Sequence, residues 1–484
     1  MIYGKGMLGD ELYFRIFEEL AAIPHSSGNC REICDWCESF AHEHRLRSLR
    51  DLHDNIIIFK EGTPGRENEV PLILQGHLDM VFERDDIPDA PHENEPIRLR
   101  LDGDFVTAYH TTLGGDDGIA VAYSLAILAS SDISHPPLEV LLTSDEEIGM
   151  LGAAALDASS LRGRRMINID SEDEGVLLCG CAGGVQISST LPYHRHSVSG
   201  RRIRFEIGGL SGGHSGVEIH RGRHNACIEL GRILASLSGD GIEYSIVELI
   251  GGGKDNAIPR SAVATVVASE ADVNVIFKKT EMLAEELKKA CADTDPGFCF
   301  EITVENACEC EALSAEDSAS AAALLSSLPD GVLRRDPALP AGIETSSNLG
   351  IMALGGAGEL ELSFLVRSAV NSRKCEARDR ILDMISAAGG EAECSGDYPA
   401  WEYRADSPLR DTMTETFREL YGREATLEVI HAGLECGILG AAIPGLDCVS
   451  MGPDMKDIHT TSERLSLSSC RRTWDYLVAL LARL

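Results

Sequence analysis

The stretch DGIAVAYSLAILASSDISHPPLEVLLTSDEEIGM, residues 117–150, decides the fold. It begins as a helical pattern over 117–131, breaks at a Ser- and Pro-rich segment, and resumes as the apolar run PLEVLLT at 137–143. The acidic turn Ser144–Glu147 follows at once. The same alternation continues outward. Apolar runs with polar punctuation lie at 51–60 (DLHDNIIIFK), 71–77 (PLILQGH) and 165–170 (RMINID), and helical patterns at 11–22, 30–45 and 151–161. Strand–helix alternation of this kind predicts an α/β domain, a doubly wound, mostly parallel central sheet with helices on both faces. Ligands collect at the carboxyl ends of strands in such sheets. His77, Asp145 to Glu147 and Asp170 all sit at those ends.

From about residue 200 the character changes. RRIRFEIGGL, a helix near 222–238, EYSIVELIGG, SAVATVVASE, ELELSFLVRSAV, a helix at about 374–388 and GEAECSGD read as a separate α+β domain. The remainder, with helices at 407–421, 433–440 and 467–483 and strands near 425–430 and 446–451, returns to the first pattern. The expected organisation is therefore an insertion: residues 1–186 and 398–484 form one domain, and 187–397 the domain inserted into it.

The 484 residues are 44% hydrophobic and 25% charged, enough to bury a sizeable core. The formal charge of −35 argues against nucleic acid or an anionic membrane as a partner. The longest apolar stretch, IAVAYSLAILA at 119–129, is too short to span a bilayer, and no leader pattern opens the chain, so a cytoplasmic protein is expected. An odd count of 15 cysteines fits free thiols in that compartment. Cys30, Cys34 and Cys37 share one helical segment and Cys308 and Cys310 one strand, but neither set has a second ligand pair at zinc spacing.

The chemistry lies in GHLDM (76–80), GGDDG (114–118), SDEEIGM (144–150), INIDSED (167–173) and IHTTSERL (458–465). Each alone has an ordinary structural explanation, such as a helix cap or a solvated acidic face. Together they place two histidines and several carboxylates where strands end and helices begin. Mixed imidazole and carboxylate donors suit zinc, with manganese or cobalt as alternatives. One His and one carboxylate per ion plus one shared carboxylate would hold two ions about 3.5–4 Å apart, as in two-metal hydrolases. A further carboxylate off the metal would move the proton between water and the leaving amine.

The ordered set GHLDM, TTLGGDDGIA, TSDEEIGM, NIDSEDEG…GCAGG, GGHSG, NAIPR, FLVRS, HAGLECG and SMGPDMKDIHTTSERL resembles the di-zinc aminoacyl-histidine (Xaa-His) dipeptidases. These belong to the wider aminoacylase and carboxypeptidase group of metallopeptidases. The resemblance runs from about residue 8 to the C-terminus and implies a zinc-exopeptidase-like catalytic domain with an inserted α+β lid. It implies two Zn2+ per subunit, with His77 and Asp170 on one, Glu147 and His459 on the other, and Asp116 bridging them. Glu146 would be the general base, Asp79 would orient His77, and the Asp116–Asp117 peptide would be cis. Gly115 and Asp117 depart from the residues usual in this subgroup, and the extra carboxylate would make the site more negative.

The same resemblance gives the lid its roles. His214 would donate to the oxyanion, Asn256 and Arg367 would reach the carboxylate end of a dipeptide, and Ser346, Ser347, Asn348 and Gly433 would line the substrate pocket. His431 and Glu435 would lie behind these groups. Closure of the lid over a small peptide would exclude proteins as substrates, and a homodimer is implied. Two alternatives stand beside this one, the second of them weighed against by the competent residues at every ligand and base position. One is an N-acyl-amino-acid deacylase or aminotripeptidase using the same metals; the other is a catalytically silent binding protein on this fold. A nucleotide enzyme does not fit, because no Gly-x-Gly-x-x-Gly or Walker-type Lys-Ser/Thr stands at the needed place.

Overall fold

The computed structural model describes residues 6–337 and 342–484. The chain divides into two compact units, one built from residues up to 181 with 403–429 and 434–484, the other from 182–402 with the short return 430–433. Each has its own apolar core.

The first unit is organised on an eight-stranded sheet. Its order is Arg47–Arg50, Ile56–Lys60, Leu138–Thr143, Leu72–His77, Arg165–Asn168, Asp447–Ser450, Val176–Cys181, Thr426–Ile430. The sheet is mixed. Its four central strands, from Leu138–Thr143 to Asp447–Ser450, run parallel, and antiparallel pairs flank them. Every residue of Leu72–His77 and Leu138–Thr143 is buried, as expected of strands covered on both faces. The helix Gly115–Ala129 is buried along all but its last residue and packs on Leu72–His77 and on the helix Leu12–Leu20. That first helix buries Tyr13, Phe14, Ile16, Phe17 and Leu20, one face at helical spacing.

Two elements are shorter than expected. The strand within 51–60 begins at Ile56, because the Asp51 carboxylate accepts from the backbone N–H of His53 and Asn55 and folds those residues into a turn. The helical pattern at 151–161 splits into Leu151–Ala155 and the 3-10 turn Ala158–Ser160, where Asp157 caps the N–H of Ser159. A small four-stranded sheet, ordered Met455–Lys456, Arg464–Ser466, Phe105–Ala108, Leu99–Asp102, fixes both ends of the loop that carries His459.

The second unit is built on a nine-stranded sheet, antiparallel at every pairing described. Its strands Ile343–Leu354, Glu359–Ser368, Gly183–Pro192 and Glu391–Tyr398 lie side by side. The GCAGG motif (180–184) runs from the end of Val176–Cys181 into Gly183–Pro192, and the division between the two units falls within it. Helices Val273–Ala290 and Ala315–Ser327 add elements not anticipated from sequence. No helix among the described residues is long and apolar enough to cross a membrane.

Candidate active site

Five chain segments bring His77, Asp116, Glu146, Glu147, Asp170 and His459 together in the first unit. His77 is the last residue of its strand, Glu146 and Glu147 follow Leu138–Thr143, and Asp170 lies two residues past Arg165–Asn168. Asp116 stands at the start of the helix Gly115–Ala129, and His459 in the loop between Met455–Lys456 and Arg464–Ser466. Asp116 faces both imidazoles. Its Oδ1 is 3.1 Å from His77 Nε2 and its Oδ2 is 3.3 Å from His459 Nε2. Asp170 Oδ1 is 3.6 Å from His77 Nε2, and Glu147 Oε1 is 2.8 Å from His459 Nε2. The ligand atoms of His77, Asp116 and Asp170 lie within 4.8 Å of one another, as do those of Asp116, Glu147 and His459, and those of His77, Glu146 and Glu147. The peptide between Asp116 and Asp117 is cis.

The donors fit divalent metal. His77 Nδ1 donates to the Asp79 carbonyl at 2.9 Å, so a neutral ring turns the lone pair of Nε2 toward two carboxylate oxygens. Lone pairs and anionic oxygens at such distances repel unless a proton or a metal cation lies between them. Two carboxylates about 4 Å apart repel by about 4 kcal/mol even at an effective dielectric of about 20. The titration behaviour reports that excess of negative charge. Burial, with Asp116 and Glu147 nearby, pushes Asp170 up to about 6 despite His77, and burial with Asp116 and Asp170 pushes Glu172 up to about 7. Burial lowers the basicity of His459, yet Asp116 and Glu147 lift it to about 10. Burial and then the neighbouring carboxylates Asp170, Glu435 and Glu147 raise Glu146 well above the usual range, while His77 opposes them. The Glu146 carboxylate takes no hydrogen bond or ion pair from the described residues.

The backbone around these ligands is held by other carboxylates. Asp79 Oδ1 accepts from the N–H of Glu146 at 2.9 Å, and its Oδ2 from the N–H of Glu147 at 3.2 Å and from Ser27 Oγ at 2.8 Å. Its Oδ1 lies 3.5 Å from His77 Nδ1, so its carbonyl orients His77 while its carboxylate clamps the Glu146–Glu147 turn. Asp145 and Met150 flank that turn in the left-handed region, at φ 52° and 58°, and in their own loop Asp457 and His459 adopt the same region at 56° and 58°. For residues other than glycine this conformation is uncommon, and it persists where surroundings over-determine it. Asp117 turns Oδ2 to the N–H of His77 at 3.1 Å and leaves Oδ1 buried without a partner; burial raises its pKa well above the usual value. Glu435 Oε2 accepts from Gln75 Nε2 at 2.5 Å and from Thr143 Oγ1 at 2.6 Å, on the strand that ends at His77 and the strand that Glu146 follows.

One residue of this clamp has no role in the sequence reading. Glu463 is buried, and its carboxylate accepts from the N–H of Leu113 at 2.6 Å, Gly114 at 3.1 Å and Gly115 at 2.8 Å. It thereby ties the His459 hairpin to the helix start that carries Asp116. Its position four residues after His459 is the only signal the sequence offers. Glu463→Ala is expected to weaken metal affinity about 10–100-fold, as loss of groups supporting ligands does. Chelator competition measures this, and an affinity equal to that of the parent protein would refute it.

In the second unit, His214 pairs with Ala257 across a two-residue strand, and the N–H of Ser215 donates to the Asn256 carbonyl at 2.8 Å. His214 Nδ1 accepts from the N–H of Gly216 and Val217 at 3.1 and 3.2 Å, which places the ring proton on Nε2. Burial first, then the charge of Arg367, lowers its pKa and keeps the ring neutral. Asn348 Nδ2 donates to the carbonyls of Asp255 and Ala257 at 2.8 and 2.9 Å, so it supports the Asn256 loop. Ser346 Oγ lies 2.8 Å from His431 Nε2, whereas Ser347, one step along the strand, faces the other way with Oγ buried and unpartnered. Gly433 lies against the ring of Tyr398.

A sequence model of peptidase family M20/M25/M40 matches residues 73–483. The chain is 36% identical over 475 residues to the cytosol non-specific dipeptidase of Escherichia coli (strain K12), an alignment covering 96% of each protein. The crystal structure of an aminoacylhistidine dipeptidase from Vibrio alginolyticus superimposes with a TM-score of 0.90 at 34% identity, covering 98% of this chain and 96% of that one. A tripeptidase from Staphylococcus aureus shares the fold at 19% identity, with a TM-score of 0.61 and coverage of 99% and 100%. The cluster of histidines and carboxylates thus stands in a chain that belongs to peptidase family M20/M25/M40.

Proposed function

We propose that this chain is a metallo-dipeptidase that hydrolyses dipeptides, of the Xaa-His type and more broadly, at a pair of Zn2+ ions. The observation that carries the reading is Asp116, whose two oxygens face two different histidines at 3.1 and 3.3 Å. His77 and Asp170 would hold one ion, Glu147 and His459 the other, and Asp116 both; Mn2+ or Co2+ could replace zinc in the same donors. Metal bound there supplies Lewis acidity, making water a nucleophile near neutrality and polarising a peptide carbonyl. Glu146, whose carboxylate has no partner among the described residues and is raised in pKa, takes the proton of the attacking water and delivers it to the leaving amine. His214, with its proton on Nε2, donates to the carbonyl oxygen as negative charge develops. Arg367 pairs with the free carboxylate of the peptide, helped by Asn256. The names of the two relatives above favour dipeptides, and we assign the protein to the cytoplasm and to homodimers on the same family resemblance.

A substrate panel tests this. Xaa-His dipeptides including the β-alanyl one, other dipeptides, tripeptides and N-acetyl amino acids are offered with zinc, manganese and cobalt added separately. Dipeptides are expected to turn over at least about tenfold faster, by kcat/KM, than tripeptides or N-acetyl amino acids. Preference for N-acetyl amino acids or for tripeptides would reassign the enzyme, and no turnover of any dipeptide with any metal would overturn the proposal.

A further inference from the structure

Arg367 is buried at 7% exposure, yet no carboxylate among the described residues pairs with it. Its Nε has no partner, and its one hydrogen bond among the described residues runs from Nη1 to Tyr398 Oη at 2.8 Å. A desolvated guanidinium without a counter-charge is costly, and the cost is offset when an anion arrives. We propose that Tyr398 is the positioning residue that aims Arg367 at the carboxylate of the substrate. This rests on the dipeptidase reading of Arg367 above.

The sheet explains how the two side chains meet. Ser346 pairs with Arg367, Arg367 with Gly184, and Gly184 with Tyr398, so these four residues form one row across four strands. Gly184 is the gap in the row. A Cβ there would lie 2.5 Å from Tyr398 Oη and 2.6 Å from Cζ, so any side chain would displace the ring that crosses it. Gly433 closes the other side of the ring, and a Cβ there would fall 2.7 Å from Cε2. The Tyr398 main chain is fixed as well, because the buried Lys374 donates to its carbonyl at 2.5 Å and pairs with Asp397. The phenol is thus seated by two glycines with its oxygen toward Arg367. On the far side of the row His431 is held neutral by burial and by the charge of Arg367, at a pKa of about 3, and so adds no competing charge. Gly433 accordingly helps to seat Tyr398.

The test compares a dipeptide bearing a free carboxylate with its C-terminal amide, using the metal-loaded enzyme. Tyr398→Phe keeps the ring and removes the oxygen. For the acid, KM is expected to rise about tenfold with kcat within about twofold, and for the amide neither should change. Arg367→Ala is expected to cost more on the acid, and adding Tyr398→Phe to it should cost nothing further. Gly184→Ala, which pushes the ring aside, should reproduce the rise in KM. Equal effects of Tyr398→Phe on acid and amide, or an unchanged KM for the acid, would overturn this inference alone. Failure of Arg367→Ala to discriminate acid from amide would overturn the carboxylate reading, and this inference with it.

Discussion

Asp116→Ala is expected to empty both metal positions together, and activity should fall by roughly three orders of magnitude or more. The reason is the sharing of one carboxylate. With Asp116 gone, His77 keeps Asp170 and His459 keeps Glu147, leaving each ion two assigned protein donors. Two donors are fewer than the three or four that zinc sites use. Asp170→Ala should instead weaken mainly the ion held with His77, because Glu147, His459 and Asp116 remain in reach of one another. Elemental analysis after dialysis against a defined free-zinc buffer separates the two outcomes. Retention of one tightly held ion per chain by the Asp116→Ala protein would show that the carboxylate is not shared. Asp116→Asn keeps the side-chain volume and one oxygen, so it distinguishes a lost ligand from a disturbed fold.

What could be read from sequence divides along a physical line. The candidate ligands stand in short, unusual clusters at or just past strand ends, at one helix start and in one loop, and five of them converge from five segments. Residues that support them through the backbone leave almost no trace. Asp79 could be read only as a partner of the His77 ring, whereas its carboxylate is occupied by two N–H groups of the Glu146–Glu147 turn. Glu463 acts on four consecutive residues, Leu113 to Asp116, through their N–H groups alone. Tyr398 is visible only through what is missing beside it, the side chains of Gly184 and Gly433. Strand order behaves likewise. Apolar runs reveal strands, but the placement of Leu138–Thr143 between Ile56–Lys60 and Leu72–His77 depends on pairings far apart in the chain. The helix Val273–Ala290 buries only Ile276, Thr280 and Ala284, so its apolar stripe is too narrow to stand out among its lysines and glutamates.

Adjacent Glu146 and Glu147 should respond oppositely to one chemical change. Glu147 Oε1 lies 2.8 Å from His459 Nε2 and within ligand distance of Asp116, while the Glu146 carboxylate has no hydrogen-bonding partner among the described residues. Glutamine keeps shape and size but cannot take up a proton under these conditions. Glu146→Gln is therefore expected to retain both ions and bind dipeptides with KM within a few-fold, while kcat falls by about 10²–10⁴, the range general-base catalysis supplies. Glu147→Gln removes an anionic donor, so one ion per chain should bind more weakly and excess zinc should restore part of the activity. Single-turnover rates with metal content measured on the same samples decide the matter. If excess zinc rescued Glu146→Gln, or if both variants lost the same ion to the same extent, the base would have to be sought elsewhere. The grouping of His77, Glu146 and Glu147 would then mark a ligand set in which both glutamates hold metal.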